Sequence, residues 1–329
     1  WLVTAARNRG ENTMTEKLAG EIAKVARSLQ GREAVELSDA RNRREVNVAQ
    51  KKNLRIARFL NRIVFCLFAE DTGLLPESLL HGILKKSYDE PDYFAPALES
   101  LFRTMAQGGL YGPHEIRHFN GHLFEDTTVF ELKPEEIKQL ADAAESSWSS
   151  IQPSIMGTLF ERALEPDQRA QLGAHYTGEA DILTLVEPVL MIPLRREWKE
   201  LKLSLAPAFA KARGTKGDRD TLTAFQKKLA GTTVLDPACG SGNFLYLSLR
   251  LLLDLEKELV TFATQLGFSF PLRVDVTQLR GLEINPYAFE LAQVSVQICA
   301  LQWWRYNCFD NDITPVLRTL GGFENKGAL

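Results

Sequence analysis

The sequence predicts an α/β protein in which an all-helical region leads into the opening half of a parallel, doubly wound sheet. Three observations carry that expectation. From Met14 to about residue 165, apolar residues recur at helical spacing with no alternating strand among them. Thr232 to Leu235 then reads as a strand that stops at Asp236, turns through Gly240-Ser241-Gly242 and launches a long apolar helix from Asn243 to about Thr264. A second apolar run, Leu279 to Ile284, is followed at once by a helix from Pro286 to Trp304. Strand, helix, strand, helix is how a parallel sheet with crossover helices begins.

The first helical stretch spans Asn47 to Ala69, where Leu54, Ile56, Leu60, Ile63, Val64, Leu67 and Phe68 fall on one face. Gly73 ends it, and Pro76 is placed to open the next helix. Another periodic stretch runs from Tyr93 to Met105 and halts at Gly108-Gly109, and Gly112 to Thr128 reads as loop. Helices resume over Pro134 to Ala144 and Pro153 to Leu164, and Gln171 to Thr177 forms a turn before a helix over Asp181 to Met191. Residues 195–230 are charged, with an exposed tip at Lys211 to Asp218. The division is a helical domain over residues 1–150 and a sheet-bearing domain over 151–329.

Composition narrows the classes. Of 329 residues, 45% are apolar and 25% charged, as in a globular protein, and no run approaches the ~18 apolar residues of a membrane span. The chain opens on Trp1 with no signal-peptide pattern, and is read as a piece of a longer polypeptide. Cys66, Cys239, Cys299 and Cys308 form no C-x-x-C pair, which points to a reducing cytoplasm with neither disulfide framework nor zinc. A net charge of −3 is unlike a whole-chain nucleic-acid binder, so DNA contact falls to a local patch or to sequence outside this chain.

Three segments form the candidate site. In Asp236-Pro237-Ala238-Cys239-Gly240-Ser241-Gly242 the glycines let backbone approach a ligand and the acid accepts from a cationic or hydroxyl group. A dinucleotide fingerprint requires a third glycine three residues after the second, but position 245 is leucine, and the loop has no basic side chain for a phosphate. The pocket therefore suits a nucleoside with a zwitterionic tail. Glu283, at the end of the second strand and followed by Ile284, can accept from both ribose hydroxyls. Gly173-Ala174-His175-Tyr176-Thr177 precedes a helix, and the Tyr176 and Thr177 hydroxyls could cover the tail.

These segments resemble motifs X, I and II of the gamma class of S-adenosyl-L-methionine-dependent adenine-N6 DNA methyltransferases, in that chain order. Phe65 to Pro76, Phe119 to Phe124 and Gly157 to Glu161 are similar to segments of large single-chain type IIG and IIL restriction-modification enzymes and related phage-defence methyltransferases. The likeness runs from about residue 14 to the end. It implies a class I, Rossmann-like methyltransferase fold, incomplete on its C-terminal side. It also implies S-adenosyl-L-methionine as cofactor, held by Tyr176, Thr177, Asp236, Ala238, Gly240, Gly242, Glu283 and Ile284. The partners it implies are double-stranded DNA, contacted mainly by regions outside this chain, and proteins of a defence system. Two departures stand out. The family's catalytic Asn-Pro-Pro-aromatic segment is absent, so no catalytic residue is assigned, and the family's Asp-Ala-Leu reads Gly327-Ala328-Leu329.

Plainer readings stand beside these. The Asp236 loop could be a structural turn, Glu283 a cap for the helix at Pro286, and Tyr176 and Thr177 caps for the helix at Asp181. His114, His118 and His122 are spaced by four, but the glycines around them argue against a helix and a metal. Arg41, Arg43, Arg44, Lys51, Lys52, Arg55 and Arg58 form a solvated face or a phosphate-contacting strip. Trp303, Trp304 and Tyr306 are expected to pack the helix end. The rivals to an enzyme fragment are a non-catalytic interaction subunit of a DNA-defence complex and, less compatible with Leu245, a nicotinamide-dependent oxidoreductase.

Overall fold

The computed structural model describes residues 17–32, 43–119, 122–155, 157, 177–307 and 320–327. Two compact units emerge, dividing between Tyr176 and Thr177.

The first unit contains helix α1 (residues 17–32), α2 (Arg43–Asp71), α3 (Leu79–Asp89), α4 (Phe94–Gln107) and α5 (Pro134–Ala144). The apolar stripe of α2 is buried, and Phe65 lies edge-on to Phe119 and Phe124 at 5.8 and 5.7 Å between ring centroids. Polar residues at the end of α2 tie the loops down. Asp71 Oδ2 accepts from the Trp148 and Ser149 backbone N–H groups at 2.6 and 3.3 Å, and Gly73 takes a left-handed φ of 72° that lets the chain reverse. Burial pushes the Glu70 carboxyl up, against the backbone N–H groups of His81 and Leu80, which favour its ionised form.

This unit is not purely helical. Gly109–Tyr111 (β1) and His114–Ile116 (β2) form an antiparallel hairpin where a loop was expected. Gly108, Gly109 and Gly112 all adopt positive φ, so the residues that read as punctuation supply the turn chemistry of the hairpin. Helix α3 also starts three residues beyond Pro76, because Ser78 turns left-handed first. Arg41, Asn120 and the stretch 158–176 of the predicted segments lie outside the described residues.

The second unit begins with α6 (Glu179–Val186), which continues as a π-helical turn over Glu187–Met191 into α7 (Ile192–Ser204). Pro188 lies in that turn, where a proline lacking its N–H is accommodated by wider winding. Short α8 (Ala206–Ala210) and α9 (Lys216–Gly231) follow. The charged segment is thus amphipathic helix: Trp198 stacks on Phe225 with centroids 5.5 Å apart and planes 10° from parallel. Thr215 and Asp218 close a capping box that starts α9.

The sheet consists of β3 (Val234–Asp236), β4 (Leu279–Leu282) and β5 (Phe323–Glu324), all parallel, with β4 in the middle. Asp236 stands opposite Gly281, and Gly281 opposite Phe323. Helix α10 (Asn243–Gln265) crosses from β3 to β4, and α11 (Pro286–Asn307) leaves β4. These two helices pack on each other and bury Leu245, Leu249, Leu252, Ala292, Val296 and Cys299. Trp303 is buried and donates through Nε1 to Asp254 at 2.7 Å, but Tyr306, expected to pack the helix end, is 51% exposed. No described helix is long and apolar enough to cross a membrane.

Candidate functional site

The site assembles at the carboxyl end of β3 and β4, where a parallel sheet opens a crevice. The loop from Asp236 to Gly242 is cross-linked to β4. Cys239 N donates to Leu282 O at 3.0 Å, Gly242 N to Cys239 O at 2.8 Å, and Asp236 Oδ1 accepts from Ala238 N at 3.0 Å. Ala238 is exposed, whereas the Cys239 thiol points into the core against Gly281. Burial, with Asp236 and Glu283 adding negative charge nearby, pushes that thiol up to about 12. It is a packing group with no nucleophilic character at neutral pH.

Glu283 is the hinge of the site. Its Oε2 accepts from Gly240 N at 2.9 Å and its Oε1 from Asn285 N at 2.7 Å. Each oxygen therefore retains acceptor capacity beyond its one N–H partner. Glu283 does not cap the helix at Pro286. Asn285 does so, its Oδ1 accepting from Tyr287 N and Ala288 N at 2.9 and 3.2 Å. Burial, with the nearby Glu283 adding to it, raises the Asp236 carboxyl, against the Ala238 N–H that favours its charge. Two carboxylates converging on one half-buried loop repel a phosphate and favour hydroxyl donors and a cationic group. Beside them Ile284 presents its apolar side chain 73% exposed.

The two glycines do different work. Gly240 (φ 53°) has open space where a Cβ would stand. A Cβ on Gly242 (φ 87°) would lie 3.0 Å from the Ala292 Cα, so this glycine lets α10 approach α11 instead of a ligand. The expected outcomes therefore diverge. Gly242→Ala should cost ~2–4 kcal/mol of folding stability, from left-handed strain plus overpacking against backbone. Gly240→Ala should cost ~1–2 kcal/mol and leave a folded chain whose ligand affinity drops. Urea midpoints of the two variants compare them, and equal losses would refute the distinction.

Among the expected site residues, hydrogen bonds and electrostatics join Asp236, Ala238, Gly240 and Glu283 into one cluster, with Ile284 adjoining in sequence. Gly242 lies at its packed rear. Thr177 is half-buried and does not cap α6, whose N-cap is Gly178. Tyr176 lies outside the described residues. Asn325 has no counterpart in the sequence reading. Its Nδ2 donates to Glu283 O at 2.7 Å and to Ile284 O at 3.2 Å, so the third strand steadies the turn that carries the acid. Its position just past β5 was the only available signal. Gly327 is exposed. No group of three or more His, Cys, Asp or Glu suited to a metal occurs among the described residues.

Known proteins resemble this chain over most of its length. Residues 210–311 match the family model of the MmeI DNA-methyltransferase domain, and residues 54–124 that of the MmeI helicase spacer domain. DNA methyltransferase A of Bacillus subtilis (strain 168) is 26% identical over 269 residues, which is 79% of this chain and 29% of the relative. A putative type II restriction enzyme and methyltransferase of Methanocaldococcus jannaschii is 24% identical over 289 residues, 74% of this chain and 24% of the relative. The solved structure of the type IIL restriction-modification enzyme MmeI in complex with DNA superposes with a TM-score of 0.72 at 27% identity, covering 95% of this chain and 40% of that one. A 22-residue stretch, 7% of the chain, is 91% identical to small ribosomal subunit protein uS7 of Caulobacter sp. (strain K31), of which it covers 14%. The chain thus spans well under half the length of the methyltransferase relatives it resembles.

Proposed function

From an MmeI-type methyltransferase domain joined to an MmeI-type helicase spacer, we propose that the parent polypeptide is a cytoplasmic, S-adenosyl-L-methionine-dependent adenine-N6 DNA methyltransferase. Its setting is a restriction-modification or phage-defence system. In this reading residues 1–150 correspond to its helix-rich domain, interrupted by the hairpin at Gly109–Ile116, and residues 151–329 to the donor-binding first part of its catalytic domain. The parent acts on double-stranded DNA, grasped mainly by regions outside this chain, alongside defence-system proteins.

The observation that carries the reading is the Glu283 carboxylate, held between Gly240 N and Asn285 N with acceptor capacity to spare. The residues fit the donor. Glu283 accepts from the ribose hydroxyls, and Ile284 offers the exposed apolar surface that a purine ring would cover. The backbone at Gly240 admits close approach, and Asp236 is placed to meet a cationic group. Bound there, S-adenosyl-L-methionine supplies an electrophilic methyl on a sulfonium. The chain's own contribution is to orient the donor and to exclude a diphosphate.

Calorimetry on the purified chain should show S-adenosyl-L-methionine or its demethylated product binding in preference to NAD. Glu283→Ala should weaken that binding by ~1–3 kcal/mol, since two hydroxyls lose a charged acceptor. NAD binding without S-adenosyl-L-methionine binding would defeat the assignment, and unchanged affinity in the variant would remove Glu283 from the ribose. One observation favours a second reading, a non-catalytic interaction subunit: Gly327 presents no carboxylate where the resemblance implies one. A parent gene lacking any Asn-Pro-Pro-aromatic segment would decide for it.

A further inference from the structure

An ion pair ties the segment carrying Thr177 to the helix that rises from the glycine loop. Arg250 Nη2 donates to Glu179 Oε1, joining the first residue of α6 to the second turn of α10. The Glu179 side chain is 9% exposed and that of Arg250 31%, so the contact is largely withdrawn from water. Farther along, Arg195 of α7 pairs with Glu258 of α10 at 2.9 Å. Arg250, Asp254 and Glu258 stand four residues apart on one ridge of α10, and α6 packs along that helix.

The two pairs fix a direction. The earlier residue of the α6–α7 helix meets the earlier residue of α10, and the later meets the later, so the helices run the same way. Residues 177 and 178, just upstream of Glu179, therefore lie toward the Asn243 end of α10, where the glycine loop emerges. Seven residues separate Asn243 from Arg250, about 10 Å of helix, and the two residues upstream of Glu179 span up to ~7 Å. Thr177 is thus directed toward the end of α10 from which the loop emerges. Stability alone does not account for such a pair, because an apolar pair of similar volume commonly serves as well.

We infer that Glu179 and Arg250 are positioning residues for donor binding, setting the distance between the Thr177 segment and the Asp236–Gly242 loop. This rests on the donor site proposed above. The test uses the full chain, with S-adenosyl-L-methionine affinity read by calorimetry and melting temperature measured on the same samples. Replacing both residues by apolar ones, Glu179→Leu with Arg250→Met, removes the pair without stranding a charge. It should leave melting within a few degrees of the parent while weakening donor binding about tenfold or more. The exchange Glu179→Arg with Arg250→Glu should recover part of that loss.

Parental affinity in the folded apolar variant would overturn the inference. Should that variant not fold, Glu179→Asp decides. It retains the charge but shortens the reach, so weaker binding at unchanged melting temperature supports positioning, and unchanged binding refutes it. A parent chain that binds no S-adenosyl-L-methionine defeats the donor reading itself. A parent that binds, with variants that bind equally, defeats only the positioning role.

Discussion

Labelled methyl should not pass from S-adenosyl-L-methionine to mixed-sequence DNA when this chain is the only protein present, even at saturating donor. No Asn-Pro-Pro-aromatic segment occurs in its 329 residues, and the cluster around Glu283 contains nothing that could hold an extruded adenine with its amino group facing the methyl. Holding two reactants in a near-attack geometry supplies ~7–11 kcal/mol of a barrier, so the expected result is loss of turnover and not a modest slowing. The net charge of −3 adds a second obstacle, because unspecific affinity for DNA comes from neutralised phosphates. An adenine-N6 DNA methyltransferase that carries the segment serves as positive control. Clear transfer by this chain would mean that a catalytic group lies in what we describe as scaffold.

The largest loss of stability is expected at Glu256, far from the site. Its side chain is fully buried and accepts from Gln226 Nε2, Arg273 N and Val274 N, each at 2.8 Å. One carboxylate thereby fastens α9 and the approach to β4 onto α10. Glu256→Leu strips the buried Val274 N–H and the buried Gln226 amide of an acceptor, and the partly buried Arg273 N–H of its own, at ~1–3 kcal/mol for each stranded buried group, and a total of ~3–5 kcal/mol is expected. Chemical denaturation of parent and variant measures it. A loss below ~1 kcal/mol would show that water or a shifted backbone replaces the carboxylate.

Much of the frame was legible beforehand because it is written in local chemistry. Helix α5 begins and ends where Pro134 and Ala144 put it, since a proline at the first position and an apolar stripe are local signals. The step from β3 through Gly240 and Gly242 into α10 was legible for the same reason, as was an acid at the end of β4. The hairpin at residues 109–116 was not, because strands of three residues are too short for alternation to register. The two-residue strand β5 likewise gains its identity from pairing with β4 and not from its own residues.

By itself the sequence determined which residue types meet: two acids, a pair of glycines and an apolar neighbour, without the third glycine of a dinucleotide fingerprint. The resemblance to gamma-class adenine methyltransferases rests on those residues, and that to type IIL enzymes on Phe65–Pro76, Phe119–Phe124 and Gly157–Glu161. Only the tertiary structure decided how the labour is divided among them. Gly240 opens toward the crevice while Gly242 admits α11, Glu283 is anchored by two amides while Asn285 takes over the cap, and Arg250 reaches back to Glu179. The reason is physical. Spacing along a chain constrains neighbours within a turn or a strand, but what a Cβ would strike, or which carboxylate an amide 43 residues away will meet, depends on how separate elements pack.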